Sequence, residues 1–147
     1  MNRVALAAWD QYRDVFSNWP RSEAIFANAA GLAGDAELLV AEKRGSIVGC
    51  VIYVSPGRNR EDIYDSTWSI IRMLSVDPSA RGKGIGRLLS EACIERARRD
   101  RAKVVGLHTS PVMTAALALY LRLGFVHCRD IADRNGLPYA VYTLTLG

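Results

Sequence analysis

A short glycine-rich segment, residues 81–87, is the part of this sequence most suited to chemistry. Its three glycines occupy alternate positions between an apolar, β-branched run and a helical pattern. Without side chains in the first turn of a helix, the free backbone N–H groups and the helix dipole favour an anion. Two arginines and a lysine add positive charge. The segment predicts a cradle for a phosphate or pyrophosphate, formed by Arg81, Gly82, Lys83, Gly84, Ile85, Gly86 and Arg87.

The glycine spacing excludes two common phosphate motifs. The P-loop needs Gly-x4-Gly-Lys followed by Ser or Thr, and the dinucleotide fingerprint needs Gly-x-Gly-x-x-Gly. Here the third glycine comes one residue too early for the fingerprint. A turn that only connects a strand to a helix remains the alternative interpretation of the segment.

The cradle and a second motif together resemble the GNAT superfamily of N-acetyltransferases. Those enzymes carry an Arg/Gln-x-x-Gly-x-Gly/Ala turn for the pyrophosphate of coenzyme A and a helix that ends in LYxxLGF. Residues 81–86 (RGKGIG) and 119–125 (LYLRLGF) are similar to these motifs, on the expected elements. The resemblance covers roughly residues 46–146.

The resemblance implies a fold and an activity. The implied fold is α+β, with a mixed, mostly antiparallel sheet of about six strands, a splayed parallel pair, and helices on both faces. The implied reaction is direct attack of a primary amine, on a small molecule, peptide or protein, on acetyl-CoA in a ternary complex. Acetyl-CoA is the co-substrate and no metal is needed. Tyr120 is the implied catalytic residue, because a nearby hydroxyl can protonate the departing thiolate.

The same resemblance places the cofactor along one strand and the cradle. The backbone of Leu74 to Val76 is expected to bind the pantetheine amides, and the cradle to hold the pyrophosphate. Met113 stands where the family often has a cofactor-binding Asn. Besides the cradle residues, the expected cofactor-binding residues are Leu74, Ser75, Val76, Thr109, Met113 and Tyr120.

The sequence departs from the family at the position of the general base. Many relatives have a Glu where this chain has Ile70, which leaves Glu61, Asp62, Asp65 and His108 as weak candidates. Arg72 has two open interpretations: its side chain faces the polar side of the sheet, or it faces an anionic substrate. Because of these departures, a second hypothesis is retained: the chain is a non-catalytic acyl-CoA-binding or interaction module on the same fold.

Hydrophobic periodicity gives the elements that position these residues. Four helices are expected. The first covers residues 8–16, and the second runs from a cap at Ser22 through Phe26. The third follows the glycine-rich segment, with an apolar stripe of Ile85, Leu88, Leu89, Ala92 and Cys93, and the fourth covers 114–123 before a left-handed Gly124. Residues 3–6 are at most a stub of the family's usual first strand. A loop wider than two residues is expected around Asn135 and Gly136. The predicted strands are 37–43, 46–55, 67–76, 103–109, 125–131 and 139–146.

Composition restricts the broad class of protein. The 147 residues predict one domain over 1–147, and 50% hydrophobic with 23% charged residues is ordinary for a globular chain. No apolar run is long enough for a membrane span and no signal peptide is apparent, so a cytoplasmic location without a membrane partner is expected. Three scattered cysteines predict free thiols.

The net charge of +4 and the pI near 9.2 favour anionic partners. Five basic residues between 96 and 103 end a helical pattern, where they complement the helix dipole. No aromatic stacking motif accompanies them, which argues against a nucleic-acid partner. A homodimer is left open by the sequence.

Overall fold

Six strands form one sheet in this computed structural model, which describes residues 2–147 apart from the side chain of residue 32. The strand order is β1-β2-β3-β4-β6-β5, and only β3 and β4 run parallel. This confirms the expected mixed sheet with one parallel pair. The strands are β1 Glu37–Lys43, β2 Ser46–Val54, β3 Ser69–Val76, β4 Val104–Thr109, β5 Val126–Arg134 and β6 Leu137–Thr145.

Helices cover both faces of the sheet. The α-helices are α1 Asn2–Trp9, α2 Trp19–Ala27, α3 Ile85–Arg99 and α4 Thr114–Arg122. The hydrophobic core on one face joins α3 and α4 to the sheet, while aromatic residues of the α1–α2 region pack on the other. Leu88 was expected in the apolar stripe of α3, but its side chain is 64% exposed, so that expectation was wrong.

The amino-terminal segment differs from the sequence-based expectation. Residues 3–6 lie in α1 and form no strand, and the helix expected over 8–16 ends at Trp9 in a 3₁₀ turn. The cap of α2 is Asn18, whose Oδ1 accepts a hydrogen bond from the Arg21 N–H at 3.3 Å, and not Ser22. Pro20 lies in the first turn of α2, where proline is compatible with a helix.

A β-bulge in β3 separates the two parallel strands. Cys50 pairs with Ser75 and Ile52 with Arg72, so two residues of β3 oppose one residue of β2. Met73 lies in this bulge with a φ of +56°, a left-handed conformation that costs a non-glycine residue about 1–2 kcal/mol. The parallel strands pair only at Ser69–Val105 and Ile70–Gly106, before the bulge. The bulge therefore bends β3 away from β4 and opens a gap between them.

The β5–β6 hairpin is tighter than the sequence suggested. A two-residue turn, Asn135–Gly136, joins the strands, with φ values of +55° and +75° that are typical of a type I′ turn. The wider loop was a wrong prediction. The carbonyl of Asn135 accepts the Ser17 N–H at 2.9 Å, and its Oδ1 accepts the Ser22 hydroxyl at 3.2 Å. The turn thus holds the α2 region against the sheet.

Candidate active site

The glycine-rich segment forms the turn into α3. Gly82 and Gly84 have φ values of +77° and +79°, and an added Cβ at either would meet no atom within 4 Å. Gly84 immediately precedes the first residue of α3, so the free N–H groups of the first helical turn border open space. Gly86 has a different role, since its Cβ would lie 3.3 Å from Leu119 of α4. It allows α3 and α4 to approach closely.

A groove of about 370 Å³ runs from this turn along β3. One wall is the end of α1 with the following 3₁₀ turn, and the opposite wall is α4. Of the residues expected to bind the cofactor, nine line the groove: Leu74, Val76, Arg81, Gly82, Gly84, Ile85, Gly86, Arg87 and Met113.

Four further expected residues do not line the groove. Lys83 is exposed, and Ser75 is buried with its hydroxyl bonded to Trp9. Thr109 and Tyr120 line a second cavity. The structure therefore divides eleven of the thirteen expected residues between two adjoining spaces, and Ser75 and Lys83 line neither.

Two hydrogen bonds fix α1, one to the cradle and one to β3. The Arg81 guanidinium donates to the carbonyl of Ala8 at 3.0 Å, and the Trp9 indole N–H donates to the Ser75 hydroxyl at 3.1 Å. Arg81 therefore satisfies a carbonyl at the end of α1. Sequence reasoning missed the groove residues of this segment, Ala8, Trp9, Gln11 and Tyr12. The sequence signal for these residues was the helical spacing of the aromatic side chains. That spacing was interpreted only as a helix face packed against the rest of the protein.

A second cavity, of about 210 Å³, lies where β3 and β4 diverge. Trp9, Leu74, Met113 and Ala116 line both the groove and this cavity, so the two spaces adjoin. Aromatic residues of the α1–α2 region cover it, with Trp9 stacked on Phe26 at 4.9 Å between ring centroids. We call this space the acceptor pocket.

Tyr120 lies at the wall between core and acceptor pocket. Its side chain is 6% exposed and packs edge-on against Phe125 at 5.7 Å. The residue is thus a core tyrosine that also lines the pocket. Burial raises the pKa of Tyr120, so the phenol keeps its proton at neutral pH.

Comparison with known proteins identifies the fold and its family. The family model described as "Acetyltransferase (GNAT) family" matches residues 2–125. The chain belongs to this GNAT family. The N-acetylaspartate synthetase of Danio rerio is 42% identical over 94 residues, which are 64% of this chain and 31% of that protein.

Solved structures of GNAT-fold proteins superpose over the chain. A ribosomal-protein-alanine N-acetyltransferase from Brucella melitensis has a TM-score of 0.72 and 25% identity, covering 99% of this chain and 94% of that one. A GNAT family acetyltransferase from Elizabethkingia anophelis with acetyl-CoA bound has a TM-score of 0.63 and 22% identity, covering 80% and 81%. The chain spans about a third of the length of the N-acetylaspartate synthetases that it matches.

A polar cluster lines the side of the acceptor pocket opposite the GNAT motif residues. Glu61 and Arg134 form an ion pair at 2.8 Å, and each side chain is about one-third exposed. His108 of β4 lies between them and Tyr64: its Nδ1 is hydrogen-bonded to the Tyr64 hydroxyl, and its Nε2 is 3.4 Å from the Arg134 guanidinium. Arg72 of β3 also lines the pocket.

The charges of this cluster set the protonation of its members. Burial, with the positive charge of Arg134, lowers the pKa of His108 to about 4, so the imidazole is neutral at pH 7. Burial also acts to raise the pKa of Glu61, but the hydrogen bonds and charge of Arg134 outweigh it and the pKa lies below its ordinary value. Glu61 is therefore an ionised, paired carboxylate.

The loop that carries Glu61 and Tyr64 is organised around Arg60. Its guanidinium donates to the carbonyls of Ser55 at 2.7 Å, Asp65 at 2.9 Å and Trp68 at 2.6 Å. The Asp65 carboxylate is hydrogen-bonded within the loop, since its Oδ1 accepts hydrogen bonds from the backbone N–H and the hydroxyl of Thr67. Of the four weak base candidates, the structure brings only Glu61 and His108 into the pocket.

The basic end of α3 is neutralised by acidic side chains. Arg96 and Arg99 pair with Glu37 at 2.7 and 2.8 Å, and Arg98 pairs with Glu95. This pairing supports the interpretation of these basic residues as the end of a surface helix.

Among residues 2–147, no helix is long and apolar enough to cross a membrane, and no group of three metal-ligating side chains was found. Cys50, Cys93 and Cys128 are free thiols, as expected.

Asp77, which follows β3 directly, makes the stability of the fold depend on pH. Hydrogen bonds from Ser79, with a further one from Arg3, lower the pKa of Asp77 to about 2. The unfolded value is about 3.9. Its stabilising contribution is therefore complete above about pH 4 and is lost as the pH falls towards 2. Urea unfolding of the wild type and Asp77→Asn should show a stability difference at pH 6 that shrinks below about pH 4. A difference that stays constant with pH would contradict this assignment.

Proposed function

We propose that this chain transfers the acetyl group of acetyl-CoA to a primary amine. The observation that carries the proposal is the juxtaposition of three features: the glycine cradle at the start of α3, the groove along β3, and the adjoining acceptor pocket that Tyr120 lines. A glycine turn that only connected strand to helix would need neither of these two cavities.

The residues of the groove fit a long, anionic, nucleotide-bearing ligand. Backbone N–H groups at the first turn of α3 would hold the pyrophosphate, with Arg87 and Arg122 supplying positive charge beside them. Past the bulge, β3 leaves its edge towards β4 unpaired, so its backbone can bond pantetheine amides as a neighbouring strand would. Met113 would contribute apolar contact where relatives use an amide.

Tyr120 is proposed as the general acid. Bound acetyl-CoA supplies an activated thioester, and attack by an amine forms a C–N bond and breaks the C–S bond. The Tyr120 hydroxyl would protonate the leaving sulphur, the nitrogen would lose one proton to solvent, and the Tyr120 phenolate would regain one from solvent, so the protons balance. Because burial raises the pKa of Tyr120, the phenol is protonated before the reaction, but it is also a weaker acid than an exposed tyrosine, so its proton transfer assists the departure of the thiolate and does not drive it.

The names of relatives support the reaction class. The matched proteins of Danio rerio and Brucella melitensis are named for acetylation of nitrogen. We therefore place this chain among N-acetyltransferases and keep the non-catalytic acyl-CoA-binding module as the second candidate, motivated by Ile70 at the position of the usual Glu.

An acetyl-transfer assay separates these candidates. The purified protein is incubated with acetyl-CoA and a panel of primary amines, and release of the free thiol is followed together with the acetylated amine by mass spectrometry. The enzyme should release thiol in proportion to acetylated product. Binding of acetyl-CoA without product from any amine would favour the binding module.

A further inference from the structure

Arg72 brings a positive charge into the acceptor pocket that no carboxylate balances. It stands on β3 immediately before the bulge, is half-buried, and lines the pocket. Among the side-chain hydrogen bonds and ion pairs formed by residues 2–147, none involves Arg72. An arginine with five donors that faces a half-closed cavity is suited to an acceptor group on a ligand.

The neighbours of Arg72 are already engaged. Glu61 pairs with Arg134, and His108 is hydrogen-bonded to Tyr64. Arg72 is close enough that its charge contributes to the lowered pKa values of Glu61 and His108, after burial and Arg134. With Glu61 matched by Arg134 and His108 neutral, the pocket keeps one positive charge in excess.

A cationic pocket is a poor place for an acceptor that carries only an ammonium group. Such a ligand would be repelled, and no ionised carboxylate other than the paired Glu61 lines the pocket among the described residues. An acceptor with a carboxylate close to its amine would instead be attracted, because arginine binds carboxylates through two parallel N–H donors.

Building on the proposed function, we infer that the acceptor is a small amine that carries a carboxylate, of the amino-acid type, and that Arg72 holds this carboxylate in the pocket. The remaining wall is mixed: Phe16, Ile25, Phe26 and Tyr139 supply aromatic and apolar surface for a side chain, and the polar residues Ser22, Thr109 and Asn135 also line it. The cover formed by α1 and α2 favours a free small molecule over a residue within a protein.

The test compares matched acceptors that differ only at the carboxylate. Leucine, leucinamide and 3-methylbutylamine share one side chain, and glycine, phenylalanine and aspartate are each paired with their α-amides. We expect kcat/KM for at least one acid to exceed that of its amide by roughly 10- to 100-fold, mainly through KM. In the amides the negative charge next to the amine is absent, so the pKa of the amine is lower and more of it is in the free-base form. Amine ionisation alone would therefore favour the amides, which is the opposite of the expected preference.

Variants of Arg72 assign the preference to this residue. Arg72→Gln should reduce the acid-to-amide ratio to near one by raising KM for the acid, and Arg72→Lys should keep part of it. The control is Arg58→Gln, which removes an exposed arginine paired with Asp35 outside the pocket and should keep the full ratio.

Acetyl-CoA binding is measured for each variant, which separates the two proposals. Equal use of acids and amides, a preference that survives in Arg72→Gln, or no acetylated acid from a protein that binds acetyl-CoA would overturn the inference about Arg72. A wild type that does not bind acetyl-CoA would contradict the proposed function itself.

Discussion

Replacement of Gly84 by valine is expected to abolish acetyl-CoA binding. Gly84 has a φ of +79°, which a β-branched residue adopts only with strain, and it directly precedes the first turn of α3. The space beside its Cα is open because it belongs to the groove, so the new side chain would occupy the volume proposed for the pyrophosphate. Calorimetric titration should show at least a hundredfold loss of affinity, the size of loss that removes about 3 kcal/mol.

Gly45 provides a matched control for backbone strain. It has a φ of +80° and open space around its Cα, but it lies in the β1–β2 turn and lines neither cavity. Gly45→Val should lose a similar amount of stability, of order 1–3 kcal/mol, and keep its affinity for acetyl-CoA. If both variants bind normally, the cradle does not hold the cofactor.

Removal of the Tyr120 hydroxyl is expected to lower turnover by about a hundredfold. General acid catalysis contributes about 10²–10⁴-fold, and the lower end applies because a thiolate is already a tolerable leaving group. Tyr120→Phe should leave acetyl-CoA affinity and the melting temperature nearly unchanged, since this hydroxyl makes no side-chain hydrogen bond among residues 2–147. The measurement is kcat from steady-state thiol release.

Tyr142 serves as the control tyrosine. It is buried in the same core as Tyr120, at 7% exposure, and lines neither cavity. Tyr142→Phe should keep full kcat. Equal turnover of Tyr120→Phe and the wild type would remove Tyr120 from the mechanism and leave it as a core residue.

Much of the sheet could be predicted because its strands carry strong local signals. Strand β1 was predicted at its observed bounds, and β2, β3 and β4 within two residues, since β-branched apolar runs bounded by turns define them. The turn before α3 was equally visible, because closely spaced glycines between a strand and a helix are a local signal of a special backbone conformation. These features depend on residues close together in the chain.

The acceptor pocket could not be predicted in the same way. It is assembled from loop, strand and hairpin residues far apart in sequence, and the Glu61–Arg134 pair spans 73 positions. The β5–β6 hairpin was misjudged because most of β5 is exposed on both faces, so it lacks the alternation that marks a strand. The bulge at Met73 also had no local signal, since a methionine rarely adopts positive φ. Tertiary pairing, not local preference, decides these features.

Binding of acetyl-CoA in the groove can be tested directly by one titration. The purified protein is titrated calorimetrically with acetyl-CoA, with coenzyme A in parallel. Saturable binding of both ligands with one-to-one stoichiometry is the predicted result, since the cradle and β3 contact the part that the two ligands share. No detectable heat of binding at high micromolar concentrations of either ligand would contradict the account and leave the glycine-rich turn as a structural connection.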